Sequence, residues 1–172
     1  MRFEDHLRDV PDFPKPGIVF KDITPLLRAP AAFRAATDAL AARCEALAPT
    51  CVAAIESRGF LFGAPVAERL GLPLVPLRKP GKLPWKTIRE SYELEYGSST
   101  LEVHQDAAGP GDRVVLMDDL LATGGTAAAS VNLIRQLGAE VVGAAFVVEL
   151  GFLAGREKLH GIEIVSLVNI DD

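Results

Sequence analysis

The stretch Val114-Val115-Leu116-Met117-Asp118-Asp119-Leu120-Leu121-Ala122-Thr123-Gly124-Gly125-Thr126 restricts the possible folds of this chain more than any other part of it. Residues 113–117 form a near-continuous apolar run, the pattern of a central parallel strand covered on both faces. Two adjacent carboxylates follow, then small residues that open a helix over 124–137, ended by Gly138. Gly124 and Gly125 let the backbone approach a ligand closely. Their N–H groups and the helix dipole favour an anion there, and Thr123 and Thr126 add hydroxyl donors. One phosphate monoester suits such a cradle. The loop lacks the Gly-Lys-Ser/Thr ending of a nucleoside-triphosphate loop, and the chain has no Gly-x-Gly-x-x-Gly dinucleotide fingerprint. Asp118 and Asp119 make chemical sense beside a phosphate if they accept hydrogen bonds from the vicinal hydroxyls of a ribose, with a divalent cation nearby. The plain alternative is a strand-to-helix turn with capping acids, although caps need neither Gly-Gly nor paired acids.

The rest of the chain repeats the alternation. Apolar residues Phe33, Ala36, Leu40, Cys44 and Leu47 recur at helical spacing over 30–48, and Pro49 ends the helix. A buried strand over 51–55 leads through Glu56-Ser57-Arg58-Gly59 to a helix over 60–70 that stops at Gly71. Residues 72–77 form the next strand. Residues 78–91 are polar, basic and punctuated by Pro and Gly, a long loop of the kind that serves as a lid or binding segment. A hairpin follows: residues 92–96 alternate, with Tyr92, Leu94 and Tyr96 on one face, and residues 100–104 alternate likewise. A strand over 141–148, a short helix near 152–159 and a strand over 162–168 complete an α/β chain with a mostly parallel sheet flanked by helices. In such sheets ligands sit at the carboxyl ends of the strands, beside a topological switch point.

Length and charge narrow the function. The 172 residues suit one domain, and 49% hydrophobic residues argue against disorder. A net charge of −5 disfavours nucleic-acid or membrane-surface binding. The basic groups are nonetheless concentrated: residues 78–90 hold Arg78, Lys79, Lys82, Lys86 and Arg89 against Glu90, a local +4 set against −9 elsewhere. Cys44 and Cys51 have the spacing of neither a redox pair nor a zinc knuckle and read as reduced, small apolar groups. No signal peptide or spanning segment is visible, so a cytoplasmic location is expected.

The apolar run, Asp118-Asp119 and Ala122-Thr123-Gly124-Gly125-Thr126 resemble the phosphoribosyl-diphosphate signature of type I phosphoribosyltransferases. Three more stretches narrow the resemblance to the adenine phosphoribosyltransferase family: Phe13-Pro14-x-Pro16-Gly17-Ile18-Val19-Phe20-Lys21-Asp22-Ile23-Thr24-Pro25, Glu56-Ser57-Arg58-Gly59-Phe60-Leu61-Phe62-Gly63, and Arg78-Lys79-Pro80-Gly81-Lys82-Leu83-Pro84 running on to Tyr92-x-Leu94-Glu95-Tyr96-Gly97. It covers nearly the whole chain in the family's order. The resemblance implies a twisted core over 1–172, with an N-terminal hood over the base (about 1–30) and a flexible lid loop and hairpin (about 78–98).

It also implies roles. Residues Ala122, Thr123, Gly124, Gly125 and Thr126 would bind the 5′-phosphate, and Asp118 and Asp119 the ribose hydroxyls. Arg58, Arg78, Lys79 and Lys82 would meet pyrophosphate, with Arg78 able to reach a neighbouring subunit, and the Glu56-Ser57 peptide would be cis. Val19 and Lys21 would read adenine through main-chain groups while Phe20 and Leu121 sandwich its ring. By pattern alone residues 18–20 are equally a short buried strand, and both can hold. Glu95 would lie near N7 of the base, although its alternation alone reads as an outward-facing strand residue. The implied reaction joins adenine and phosphoribosyl diphosphate into AMP and pyrophosphate, in a homodimer. Mg²⁺ would be held mainly by ligand oxygens and water, with no direct protein side-chain ligands. Two rivals stand beside this reading. One is a transferase for a 6-oxopurine; the other is a phosphoribosyl-diphosphate sensor that regulates transcription, for which the chain shows no helix-turn-helix extension.

Overall fold

Five parallel strands in the order β4-β3-β7-β8-β9 form the centre of the computed structural model, which describes residues 1–93 and 97–171. They are β3 (Cys51–Ile55), β4 (Leu74–Leu77), β7 (Arg113–Leu121), β8 (Glu140–Leu150) and β9 (Glu163–Ile170). Their residues alternate between two cores, as the two-residue period of a strand requires. Val52, Ala54, Val115, Met117, Ala145 and Val147 face helices α1 (Thr24–Arg28), α2 (Pro30–Glu45) and α3 (Gly59–Leu70). Cys51, Ala53, Ile55, Val114, Leu116 and Ala144 face α4 (Gly125–Gln136) and the antiparallel hairpin of β5 (Thr87–Glu93) and β6 (Ser98–His104). The chain is therefore a three-layer α/β fold, as its alternating pattern predicts. Among the described residues no helix is long and apolar enough to cross a membrane.

Strand order turns back between β3 and β7. These neighbours pair in parallel from Cys51↔Val114 to Ala54↔Met117, and each then runs into a helix on a different face of the sheet, α3 or α4. A crevice opens at their carboxyl ends. The helix stops fall where the sequence places them: Gly71 closes α3 at φ 64°, and Gly138, at φ 87°, follows α4.

Several boundaries differ from the sequence expectation. The strand expected over 113–117 runs on to Leu121, because pairing with β8 continues through Asp118↔Phe146, Leu120↔Val148 and Leu121↔Glu149. The two acids thus lie on the strand rather than after it. The basic loop is shorter than 78–91, since β5 begins at Thr87. The short helix near 152–159 is two 3₁₀ turns, Gly151–Leu153 and Gly155–Lys158. Near the N-terminus, β1 (Arg8–Pro11) pairs antiparallel with β2 (Val19–Asp22). Of residues 18–20, Val19 and Phe20 open a strand and Ile18 precedes it, but the strand is not a buried one: Val19 is 49% exposed. Cys44 and Cys51 are free and buried as expected; burial pushes the Cys44 thiol up to about 12 and that of Cys51, beside Asp112, up to about 11.

Candidate active site

Two adjoining cavities occupy the crevice at the β3 and β7 ends. One, about 210 Å³, is lined by the 118–127 segment with Arg58 and Phe146. The other, about 170 Å³, adds Glu56, Ser57, Lys79 and Tyr92 and shares Arg58, Asp118, Asp119 and Thr126 with the first. A ligand with groups at both ends could fill them together.

The first cavity is shaped by backbone. Gly124 holds φ 79°, a left-handed conformation open to glycine at little cost, and its carbonyl accepts the first helical bond, from Ala128 N at 2.9 Å. The α4 N-terminus therefore leaves its early N–H groups for an anion. The Thr126 hydroxyl meets the Tyr92 hydroxyl at 3.2 Å, tying the hairpin to this end of the site.

Between the cavities stand the two acids and one arginine. Asp119 is buried and accepts from Arg58 Nε at 2.5 Å, while Asp118 accepts from the backbone N–H of Asp119 at 2.8 Å. Burial, and then the adjacent negative charge of Asp119, push the Asp118 carboxyl well above the usual aspartate range. Arg58 remains a cation, because Asp119 outweighs the cost of its partial burial. It is delivered by the turn between β3 and α3, whose Glu56-Ser57 peptide is cis as the resemblance implies. Gly59 lets that turn lie against β7: a Cβ there would sit 2.8 Å from the Met117 carbonyl oxygen and 3.0 Å from Asp118 Oδ1.

The basic segment is largely neutralised from within. Glu56, part-buried with a side chain 8% exposed, accepts from Arg78 Nε at 3.2 Å, from the Lys79 backbone N–H at 2.8 Å and from the Lys82 ammonium. Burial alone would raise the Glu56 carboxyl, but these donors outweigh it and hold it below the usual range. Glu102, which is buried, pairs with Arg89 at 3.0 Å, and Lys79 Nζ reaches the Ser99 hydroxyl. A charge count exposes the cluster but not these partners, which lie in other elements.

The structure thus brings together Arg58, Lys79, Asp118, Asp119 and residues 121–126. Arg78 and Lys82 turn to Glu56 and line neither cavity. Leu121 lines the first cavity although only 1% exposed. The Phe20 ring lies edge-on to Phe13 at 5.2 Å, with the Arg58 guanidinium 5.8 Å from its centroid. Val19 and Lys21 line neither cavity, and Lys21 Nζ pairs with Asp9 at 2.8 Å. Glu95 lies outside the described residues. Sequence reasoning left Glu56, Tyr92 and Phe146 without roles. The alternation of the hairpin and the place of Tyr92 in the Tyr92-x-Leu94-Glu95-Tyr96-Gly97 stretch were the available signals for it.

Comparison with known proteins agrees with this geometry. The phosphoribosyl transferase domain model matches residues 22–165. The chain is 57% identical over 166 residues to the adenine phosphoribosyltransferase of Desulfitobacterium hafniense (strain Y51), covering 96% of each chain. Its structure superposes with a TM-score of 0.95 on the crystal structure of adenine phosphoribosyltransferase from Thermoanaerobacter pseudethanolicus, at 52% identity and 98% coverage of both chains. The Trypanosoma brucei enzyme, solved in complex with AMP, pyrophosphate and ribose-5-phosphate, gives a TM-score of 0.90 at 29% identity, covering 99% of this chain and 80% of that one.

Proposed function

The chain belongs to the phosphoribosyltransferase family, within its adenine phosphoribosyltransferase branch, and on that premise we propose that it transfers the 5-phosphoribosyl group of 5-phospho-α-D-ribose 1-diphosphate to adenine. AMP and diphosphate are the products, a salvage reaction for the purine. The observation that carries this reading is the junction of the two cavities: a backbone phosphate cradle in one, two carboxylates shared by both, and the cations Arg58 and Lys79 lining the other. N9 of the base bonds to C1′ as the bond from C1′ to the diphosphate oxygen breaks; the leaving oxygen takes the electron pair, and the proton that adenine carries on its imidazole ring passes to the departing diphosphate or to water. Because the sugar carbon becomes oxocarbenium-like, no protein nucleophile is required, and electrostatic stabilisation carries the chemistry.

In this reading residues 122–126 hold the 5′-phosphate and Asp118 and Asp119 accept from the ribose hydroxyls. Arg58, Lys79 and Lys82 receive the diphosphate. Arg58 would then exchange Asp119 for diphosphate, and Lys82 and Arg78 would leave Glu56, so the cations are stored beside carboxylates until the anion arrives. Arg78 could instead reach a neighbouring subunit in a homodimer. Phe20 and Leu121 flank the base, main-chain groups of Val19 and Lys21 read it, and Glu95 serves N7. The whole chain acts as one domain, with residues 1–30 as a hood and 78–98 as a lid that excludes water from the activated sugar.

The donor set suits Mg²⁺ held mainly through the diphosphate and water: Asp118 and Asp119 are the paired carboxylates at the sugar position, and Arg58 already occupies one of them. The ion would neutralise charge on the leaving diphosphate. A cytoplasmic enzyme without nucleic-acid or membrane partners fits the substrates. The test is AMP formation from adenine, phosphoribosyl diphosphate and Mg²⁺, with guanine and hypoxanthine as competitors. Adenine should be strongly preferred. Turnover of 6-oxopurines as efficient as that of adenine would overturn the base assignment.

A further inference from the structure

Behind the phosphate cradle lies an ionic cluster, built on a buried carboxylate, that the reaction above does not use. Glu149, near the end of β8, is 4% exposed. Its carboxylate accepts from Arg156 Nε and, at 2.7 Å, from Arg156 Nη2, and the Ser166 hydroxyl of β9 donates to it at 2.6 Å. These bonds tie the 3₁₀ turn at Gly155–Lys158 to two strands of the central sheet.

The first residue of that turn touches the cradle directly. A Cβ at Gly155 would sit 2.2 Å from the Ala122 carbonyl oxygen and 3.1 Å from the Gly124 nitrogen, and a Cβ at Gly124 would sit 2.4 Å from the Gly155 carbonyl oxygen. The two backbones therefore meet with no side chain between them. Gly155 itself does not line the cavity. A loop whose N–H groups must converge on one anion needs its backbone fixed to within a fraction of an ångström, and displacement of about 1 Å can cost on the order of 100-fold in function. Glu149 is buried while the Arg156 side chain is 51% exposed, so the pair is anchored from its carboxylate, where the two arginine nitrogens and the Ser166 hydroxyl together fix one geometry.

We infer that Glu149, Arg156 and Ser166 form a buttress that presses Gly155 against residues 122–124 and so shapes the backbone that receives the 5′-phosphate. Glu149 and Arg156 are then positioning residues that act through Gly155. The inference rests on the transferase reading, because it names the end of the substrate they serve.

Titration of the intact protein with ribose 5-phosphate and, separately, with pyrophosphate tests it, with Mg²⁺ present in both. Glu149→Gln should weaken ribose 5-phosphate on the order of ten-fold or more and leave pyrophosphate unchanged, since the latter binds at the Arg58 and Lys79 end. Arg156→Lys, which keeps the charge, should restore part of the affinity lost in Arg156→Met. Gly155→Ala alters the contact while keeping Glu149, Arg156 and Ser166 themselves and should give the same one-sided loss, which keeps the test open if Glu149→Gln does not fold. Equal weakening of both ligands, or of neither, overturns the buttress. Failure of the unaltered protein to make AMP from adenine overturns the transferase reading instead, while the two titrations still decide the positioning role.

Discussion

Asp118 and Asp119 are chemically identical neighbours whose surroundings separate them. Asp119 is buried against Arg58, whereas Asp118 accepts from the backbone N–H of Asp119 and carries a carboxyl raised by burial and by Asp119. Both should be needed for the sugar. Replacing each with Asn keeps the shape and removes the charge, so kcat/KM should fall by about 10- to 100-fold per site, the weight of a charge-assisted hydrogen bond. Circular dichroism should show the fold retained; unchanged kinetics would make the carboxylates merely structural. Their presence and adjacency were legible in the sequence. The partner of Asp119 was not, because Arg58 lies 61 residues away and only the side-by-side pairing of β3 and β7 joins them.

At the scale of elements, glycine sets how closely α3 can approach the sheet. A Cβ at Gly63 would lie 2.5 Å from Ala54 Cβ on β3, a methyl with no rotamer by which to turn aside. At Gly143 the intruding atom is the far end of the partly buried Leu47 side chain, at 2.4 Å. Gly63→Ala should therefore destabilise, because about 1–3 kcal/mol of overpacking exceeds the roughly 1 kcal/mol that alanine gains in a helix. Gly143→Ala should cost less, since Leu47 can turn aside. Denaturant midpoints of the two variants check the order. The elements themselves were readable where apolar runs and glycine stops coincide, as in β3 and α3. They were unreadable where pairing overrides polarity. Asp118 and Asp119 look like the end of a strand, yet β8 pairs with them; β1 contains Arg8, Asp9 and Pro11 and offers no apolar alternation. The start of β5 at Thr87 was hidden in the same way, inside a basic stretch whose partner strand begins only at Ser98.

Across the whole molecule, the net charge of −5 conceals carboxylates that titrate in opposite senses. Burial would raise Glu56 and Glu149, but their cationic and hydrogen-bonding partners prevail and lower both from the ordinary 4.5. The stability they supply is fully present above that value and is lost as pH falls through their depressed pKa values. Asp118, with a raised pKa, runs the other way: its contribution is present below the ordinary aspartate range and fades as pH rises through the raised value. Thermal melting from neutral to acid pH should therefore show a steeper fall for the unaltered protein than for a Glu56→Gln/Glu149→Gln double variant. Parallel curves would mean that the two pairs supply no stability at neutral pH for acid to remove. The buried cysteines carry a different consequence. Cys44 and Cys51 sit on opposite faces of the sheet, in separate cores, and keep their protons far above neutral pH. Only the thiolate attacks an alkylating reagent. Each thiol is thus a silent timer for its own layer: the moment at which it becomes alkylated reports when that half of the molecule has opened, and two different times would reveal that the layers come apart one after the other.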